Sequence, residues 1–557
     1  MPLNFGLDAS GNSNNWTVNN ISQAAGTTYD SMLDVPSGNG YADGGNGRGN
    51  YCTLNPLDFN SGTVSNGNLQ WASSTAVGNG CFGTFAFDIA DSTNKYYWEM
   101  TLTSGDVVFG IVPLTTLPSN TSRTGSYSYY TNGNKYSGTS ASAYGSTFTS
   151  GDVIGVAVGN GIITFYKNNV SQGSAFTGLT GFFKPAIWEV SGTFNANFGQ
   201  RPFSYTPPTG FKALCTSNLP AVTGAAQQPK KHFDVVTRNG TSAAANITGY
   251  QFAPDFVWIK ARNIAYSNVL SNVLTGATKF MQSNTTAAEQ TDVQALTAFN
   301  SDGYSLGTWV EFNETGKTYV DWAWKANGTG VSNTAGTITS TVSANTTAGF
   351  SVVTYTHNGT NAATVGHGLG VTPSFIINKQ RSAASNWRCY HVSLTAGYNI
   401  QLNLTQAQGT AADIFPNAPT SSVFTPGNGD SASGQTFVAY CFAAIPGYSA
   451  FGKYTGNGST DGPFVYCGFR PRWLLIKGTT SLSLDQWMIW DTARNTYNVA
   501  SNSLQPNSSG SENTARIIDI LSNGFKPREG DAKHNLSNET YIYAAFAENP
   551  FKYSNAR

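Results

Sequence analysis

Apolar and polar residues alternate along most of this chain, or gather in short apolar runs bounded by Gly, Asn, Ser and Thr. That is the period of β-structure. In "PDFVWIK" (Pro254–Lys260), Phe256, Trp258 and Lys260 share one face of a strand, and Asp255, Val257 and Ile259 the other. The phrase returns as "PSFIINK" (Pro373–Lys379), with Phe375, Ile377 and Lys379 against Ser374, Ile376 and Asn378. It returns again as "PRWLLIK" (Pro471–Lys477), with Trp473, Leu475 and Lys477 against Arg472, Leu474 and Ile476. One face is apolar up to the lysine each time, which predicts a core strand. The proline stands at its start, where no ladder donor is needed, and the lysine brings the chain to the surface.

Two more anchors accompany each phrase. An aromatic strand and turn precede it, from Phe233, Phe350 and Phe451, and a second strand follows it, from Thr318, Thr436 and Thr540. Three anchors in one order at nearly constant spacing are an internal repeat, with a unit of about 95 residues, the size of a free-standing β domain. Upstream, "YYWEMTL", "DVVFGIV", "GDVIGVAV" and "GIITFYKNN" read as strands of a larger domain. The one helix candidate is Thr285–Phe299, where Val293, Leu296 and Phe299 lie about a turn apart. The expected layout is four β domains in a row: 1–205, a linker 206–230, 231–328, a linker or β-arm 329–348, 349–446 and 447–557.

Composition narrows the function. Charged residues are only 11% of 557, with 30 basic and 30 acidic side chains, so the basic footprint of a nucleic-acid binder is missing. Aromatic residues at 13% supply enough apolar surface to fold, against the disorder that low charge and many turn formers could suggest. No apolar run is long enough to span a bilayer. The start "MPLNFGLDAS" has neither the basic start nor the apolar core of a signal peptide, so assembly in a cytoplasm is expected. The six scattered cysteines are expected as buried free thiols, without disulfides or zinc.

Candidate chemistry is sparse. A catalytic group belonging to the repeat should recur in every copy, and only the proline and lysine do. The lysines Lys260, Lys379 and Lys477 read as structural, with a ligand-binding lysine row as the alternative. Acids crowd the first copy (Glu289, Asp292, Asp302, Glu311, Glu314) and do not recur, so no glycosidase carboxyl pair repeats; a unique pair such as Glu311 with Asp321 is the alternative. The five histidines lack metal spacing and read as turn or surface residues. Asp8, Ser10, Asn12 and Asn14 are spaced like a calcium loop, but Asn19 stands where the bidentate Glu belongs, which favours a hydrogen-bonded turn. Tyr127, Tyr129, Tyr130 and Tyr136, among small polar residues, suit sugar or peptide recognition, with strand-edge packing as the competing reading.

The run from "YYWEM" through "GDVIGVAVGNGIITFYKNNVSQGSAF", residues 90–200, resembles the SPRY-type concanavalin-like sandwich. It departs at "KNNV", where the family has Asn-Gly; Asn169 can still take the left-handed turn. In that resemblance the tyrosines fall on a variable recognition loop. The whole arrangement, including "NFGQRPFSYTPPTGFKALCTSNLP" (Asn197–Pro220) and the repeated lysine phrase, is similar to proteins of marine and cyanobacterial bacteriophages. The resemblance implies a non-enzymatic virion structural protein, a tail fibre or appendage that meets a host-surface glycan. Capsid decoration (a head fibre) or a polysaccharide depolymerase are the alternatives. The fold class expected is all-β: an N-terminal SPRY/concanavalin-like jelly-roll sandwich and three tandem β-sandwich-like repeats. No cofactor, nucleic acid or membrane insertion is expected. Few charged edge residues and zero net charge point to association between copies. Phage fibres and capsid protrusions are commonly trimers, so the resemblance implies a homotrimer, alongside other virion proteins as partners, with the contact face on the third and fourth domains.

Overall fold

The computed structural model describes residues 50–551 apart from 60, 74–78, 115, 117–124, 396, 411–413, 428–432 and 481–485, together with 14, 15, 17, 42, 43, 46 and 47. Of 42, 43, 46, 47, 189 and 190 it gives the backbone alone. The protein is all-β; the α-helical turn among the described residues is Val310–Asn313. The predicted helix at Thr285–Phe299 is instead extended, with strands at Gln290–Thr291 and Leu296–Asn300 and Val293 exposed to solvent. The chain forms two compact units, 1–221 and 222–557.

The first unit is built on two long antiparallel strands, Lys95–Pro113 and Phe182–Asn197, paired from Phe183–Pro113 to Asn197–Glu99. Both bend at a bulge beside Gly105, which has φ +76°; a Cβ there would lie 2.0 Å from the Ser191 carbonyl oxygen, so only glycine passes. Val153–Gly159 pairs with the first half of the Lys95–Pro113 strand and continues through Ile162–Lys167. The two-residue turn after Lys167 places both Asn168 and Asn169 in the left-handed region, φ 47° and 69°, as the hairpin twist requires. Trp98 is fully buried between Phe87 and Phe198.

In the second unit each repeat copy forms the same antiparallel sheet, in the order opening, closing, lysine and rim strand. The first copy uses Phe233–Asn239, Thr318–Trp324, Phe256–Ala261 and Val269–Asn272. The second uses Phe350–Thr356, Thr436–Phe442, Phe375–Gln380 and Arg388–His391. The third uses Ser449–Thr455, Thr540–Pro550, Phe469–Gly478 and Met488–Asp491. Register corrects one sequence match. Phe233 and Phe350 oppose Trp324 and Phe442, but in the third copy Ser449 opposes Phe546, so Phe451 corresponds to Val235 and Val352. Pro471 lies inside its strand, not at the start, and a bulge on either side of it absorbs the missing donor.

The copies are not beads on a string. One face of each sheet packs on a small sheet of its own copy, giving three outer cores. The other faces converge on a single central core. There Trp324, Phe442 and Phe546 form a near-equilateral triangle, with ring centroids 6.1, 5.7 and 5.6 Å apart. The stretch 329–348, expected as a linker or β-arm, forms strands Val331–Asn333 and Ser340–Asn345, which extend the second sheet beyond its opening strand.

A ring of polar contacts joins the copies, and it contains the lysines. They do not reach the surface as expected: all three are fully buried. Each ammonium donates to the carbonyl of the residue after it, Ala261, Gln380 or Gly478, at 3.0, 2.9 and 2.7 Å. Each also reaches into a neighbouring copy: Lys260 to Ser509 O (3.0 Å), Lys379 to Thr286 O and Lys477 to Thr405 O (both 3.2 Å). These acceptors are equivalent. They end the phrases "QSNTT" (282–286), "QLNLT" (401–405) and "QPNSS" (505–509), a second repeat of Gln-x-Asn-x-Thr/Ser. The residue before each rim strand donates to the Gln carbonyl of the same neighbour, Trp387 to Gln282, Trp487 to Gln401 and Asn268 to Gln505. Three residues past each phrase comes a backbone bond, Glu289 N to Arg381 O, Gln408 N to Thr479 O and Glu512 N to Arg262 O, at 2.9, 3.0 and 2.7 Å. Two of these positions add an ion pair, Arg381–Glu289 and Arg262–Glu512. An acid thus stands at this position in two copies, and Gln408 takes its place in the other. First copy holds third, second holds first, third holds second, and the ring closes.

Contacts also run the opposite way round from the last residue of each rim strand. Asn272 donates to Tyr440 OH, Asp491 accepts from the Trp322 indole, and the His391 Nε2 bonds Tyr543 O at 3.1 Å. His391 Nδ1 accepts the Ser393 N–H, so the proton sits on Nε2 and the ring is neutral. Four of the five histidines, His357, His367, His391 and His534, are buried rather than on the surface.

Two expectations follow from this shared core. Trp258 is 1% exposed and packs edge-on against Trp322 in the central core. Trp258→Ala should cost about 3–5 kcal/mol. The loss should appear in all copies: labelling of Cys389, Cys441 and Cys467, none of them in the first copy, should accelerate together, whereas unchanged labelling would mean independent domains.

Burial lowers the pKa of His391 to about 4, below the ordinary imidazole value of 6.5. The unfolded chain therefore binds a proton the folded one refuses between those values, so stability is complete above pH 6.5 and falls as pH drops toward 4. Denaturant titrations of the wild type and His391→Gln should diverge over that window by about 3 kcal/mol, with the wild type the steeper.

Candidate functional site

The residues singled out in the sequence do not assemble into one site. Tyr127–Tyr130 is a strand, paired with Asn134–Ser137, and not a loop. Tyr129 is fully buried: its ring packs on Tyr144, Phe148 and Phe165, and its hydroxyl donates to Ser146 O. Tyr127 shares that face, half-buried against Phe176 and Phe183. Tyr130 points to the opposite face, beside Tyr136 and the cluster of Phe82, Val108 and Trp188. Alternation along the strand thus sends the tyrosines to both faces, and they cannot converge on one ligand. Of the calcium-like group, Asp8, Ser10 and Asn12 lie outside the described residues, and Asn14 is exposed.

The carboxylates fare no better as catalysts. Asp321 is fully buried and held by Arg238 at 2.5 Å, while Glu311 accepts from Gln282 at 2.9 Å. Among the described residues no cluster of three His, Cys, Asp or Glu could hold a metal. The six cysteines are free and buried; burial pushes the Cys52 thiol up to about 12, far from a reactive thiolate. Burial likewise lowers Lys260 to about 8, but its ammonium is enclosed by the carbonyls of Ala261, Tyr266 and Ser509, with no room for a substrate.

A concave polar surface lies elsewhere in the second unit. On the second copy a groove of about 210 Å³ is lined by Ser332, Thr339, Thr341, Thr354, Thr356, Thr436 and Arg381, among others. Register explains the array. Ser332 pairs with Thr341 and Thr341 with Thr354, forming one transverse row; Thr356 pairs with Thr436, whose carbonyl accepts the Arg381 N–H. This face of the sheet carries Phe350 and Val352 into the central core, then emerges from it and turns to hydroxyls. Sequence reading passed over these residues, although "TST" (339–341) and "TYT" (354–356) on adjacent strands were there to be seen. No carboxylate lines the groove.

Tyr129→Ala is accordingly expected to act on folding. It should destabilise the first unit by about 3–5 kcal/mol in a denaturant melt; an unchanged melt would put the ring on the surface.

Comparison with known proteins agrees with this architecture. Residues 95–201 match the SPRY domain family. Among solved structures, the SPRY domain of human HERC1 is 18% identical over 26% of this chain and 96% of its own, with a TM-score of 0.23. Stonustoxin is 17% identical over 26% of this chain and 27% of its own, TM-score 0.23. The carbohydrate-binding module CBM66 from Bacillus subtilis is 9% identical over 26% and 91%, TM-score 0.20. No curated protein matches the chain. The other match, over residues 228–550, spans the whole threefold ring and more than half the chain, and through it the protein belongs to the family described as domain of unknown function DUF7483.

Proposed function

We propose that this protein is a non-enzymatic structural protein of a bacteriophage particle, a tail fibre or appendage component that contacts a glycan on the host surface. One observation carries the non-enzymatic part. The polar groups that recur in all three copies are consumed in holding the copies together: the lysines, the Gln-x-Asn-x-Thr/Ser carbonyls and the strap that follows them. What the repeat multiplies is a scaffold. A depolymerase would need two carboxyls facing each other across a cleft, and the groove offers hydroxyls and an arginine.

The virion setting rests on the likeness of the whole arrangement to phage proteins, and a rigid display module is what such a setting uses. The homotrimer expected from the sequence needs a different surface from the one first assigned to it, because the apolar faces of the copies cover one another within a single chain. Phe233–Asn239 and Ser449–Thr455 each end their sheets, and such edges can pair with another chain.

Particles purified from a lysate and labelled with an antibody to this chain should carry the label on the tail or its appendages. Particles without label would overturn the virion reading. Host polysaccharide incubated with the protein should show no gain in reducing ends, and a gain would restore the depolymerase.

A further inference from the structure

We propose that the hydroxyl-lined groove of the second copy is a binding site for a neutral carbohydrate chain. The inference does not depend on where the protein resides, only on what the groove presents.

The three copies share the same four-stranded sheet, yet among the described residues only the second is extended beyond its opening strand, by Val331–Asn333 and Ser340–Asn345. Those strands add nothing to the central triangle. They supply one wall of the groove, Ser332, Thr339 and Thr341, and the shared strands supply the other. At the matching positions of the first copy, Thr237 and Thr318, no added strand stands opposite, and the sheet ends at the opening strand.

The chemistry selects the ligand. The hydroxyls of Ser332, Thr339, Thr341, Thr354, Thr356 and Thr436 line a concavity and make no hydrogen bond among the described residues. Each can donate and accept, and a sugar hydroxyl can do the same, so a polyhydroxyl ligand satisfies both sides of the groove. Arg381 gives Nε and Nη2 to the two oxygens of Glu289 at 2.8 and 2.9 Å, so the one charged side chain of the lining is met by a carboxylate and keeps Nη1 as a further donor; Lys279, 3.8 Å from the same carboxylate, is not part of the lining. Tyr355 is 5% exposed with its hydroxyl on Asn378, and Ser340 donates to Gly366 O, so the floor is rigid and its polar groups are spent. With no exposed aromatic or aliphatic wall, the groove has nothing for an apolar peptide. Its size suits a single sugar ring of a longer chain more than a drug-sized ligand.

The groove also lies where a ligand can reach it. Thr356 and Thr436 stand at the ends of their strands opposite Phe350 and Phe442, about 20 Å from the aromatic triangle. The chain enters the unit at the triangle end, where Ala225 and Ala226 join the central core.

The test uses the full chain on a glycan array of neutral and acidic oligosaccharides, with isothermal titration of whichever neutral oligosaccharide binds. Thr354→Val/Thr356→Val removes two hydroxyls at constant shape and should weaken binding roughly tenfold or more. Thr237→Val/Thr318→Val, at the first-copy positions that match Thr354 and Thr436, should leave it unchanged and controls for general effects on the fold. Binding of acidic oligosaccharides only, of none, or equal loss from both pairs would overturn the proposal. Because the array uses purified protein, its failure is separate from a failure to find the chain on particles.

Discussion

Everything in the second unit depends on three aromatic side chains meeting on one axis. Trp324 and Phe442 end the closing strands of the first two copies, Phe546 holds the equivalent position in the third, and the three touch pairwise at 5.6–6.1 Å. Phe256, Phe375 and Trp473 oppose them across the sheet and close a void of only about 10 Å³. An isolated copy would leave its inner face, with several aromatic rings, in water. At about 25 cal/mol per Å² such a face is a large fraction of a domain's net stability. The copies are therefore domains in sequence and one body in energy.

Apolar packing alone would let three such sheets slide or rotate, since the hydrophobic effect has no direction. The buried lysines supply the direction. An ammonium without partners in the interior is costly, and each of these finds carbonyls in two different copies. Only one relative placement of the sheets satisfies all three at once. The Gln-x-Asn-x-Thr/Ser strap meets the same need from the other side, because its last residues, Thr286, Thr405 and Ser509, lie outside the strands of their own sheets. Lysine suits the position because its long stem is apolar while its head makes three bonds.

The strands and the repeat were legible because alternation and spacing are local properties. The lysine strand, the closing strand, the buried cysteines and the SPRY-like hairpins all follow from what each residue does within its own element. What covers an apolar face is not local, and there the reading failed. Lys379 reads as a surfacing residue until Thr286, far away in another copy, is known to accept its proton. Glu289 reads as one of the acids crowding the first copy until it is seen against Arg381 of the second. The strap is written three times, but Gln, Asn and a hydroxyl amid turn formers carry no hydrophobic period that would mark it as an element. Phe451 was matched to Phe350 by type, and pairing register moved it by two residues. Tyr129 failed differently: a Tyr-rich polar run suits both a binding loop and a strand whose alternate rings are buried, and only the partners Phe148 and Phe165 decide.

Threefold closure within one chain has a consequence for function that three separate chains could not have. Identical subunits must present identical surfaces, so a groove on one would appear on all. Covalent linkage frees each copy to vary away from the axis while the triangle and the lysine ring hold the frame. The sequence uses that freedom where the frame permits it. Near the axis the copies stay aromatic or aliphatic; toward the far end of the opening strand they diverge, with Thr354 and Thr356 in the second copy, Thr237 and Asn239 in the first and Lys453 and Thr455 in the third. The added strands at 331–345 continue the divergence, since a sheet whose inner half is fixed by its neighbours can accept new strands at its outer edge without disturbing the core. A rigid interior and a variable rim follow from the same constraint, and recognition belongs on the rim.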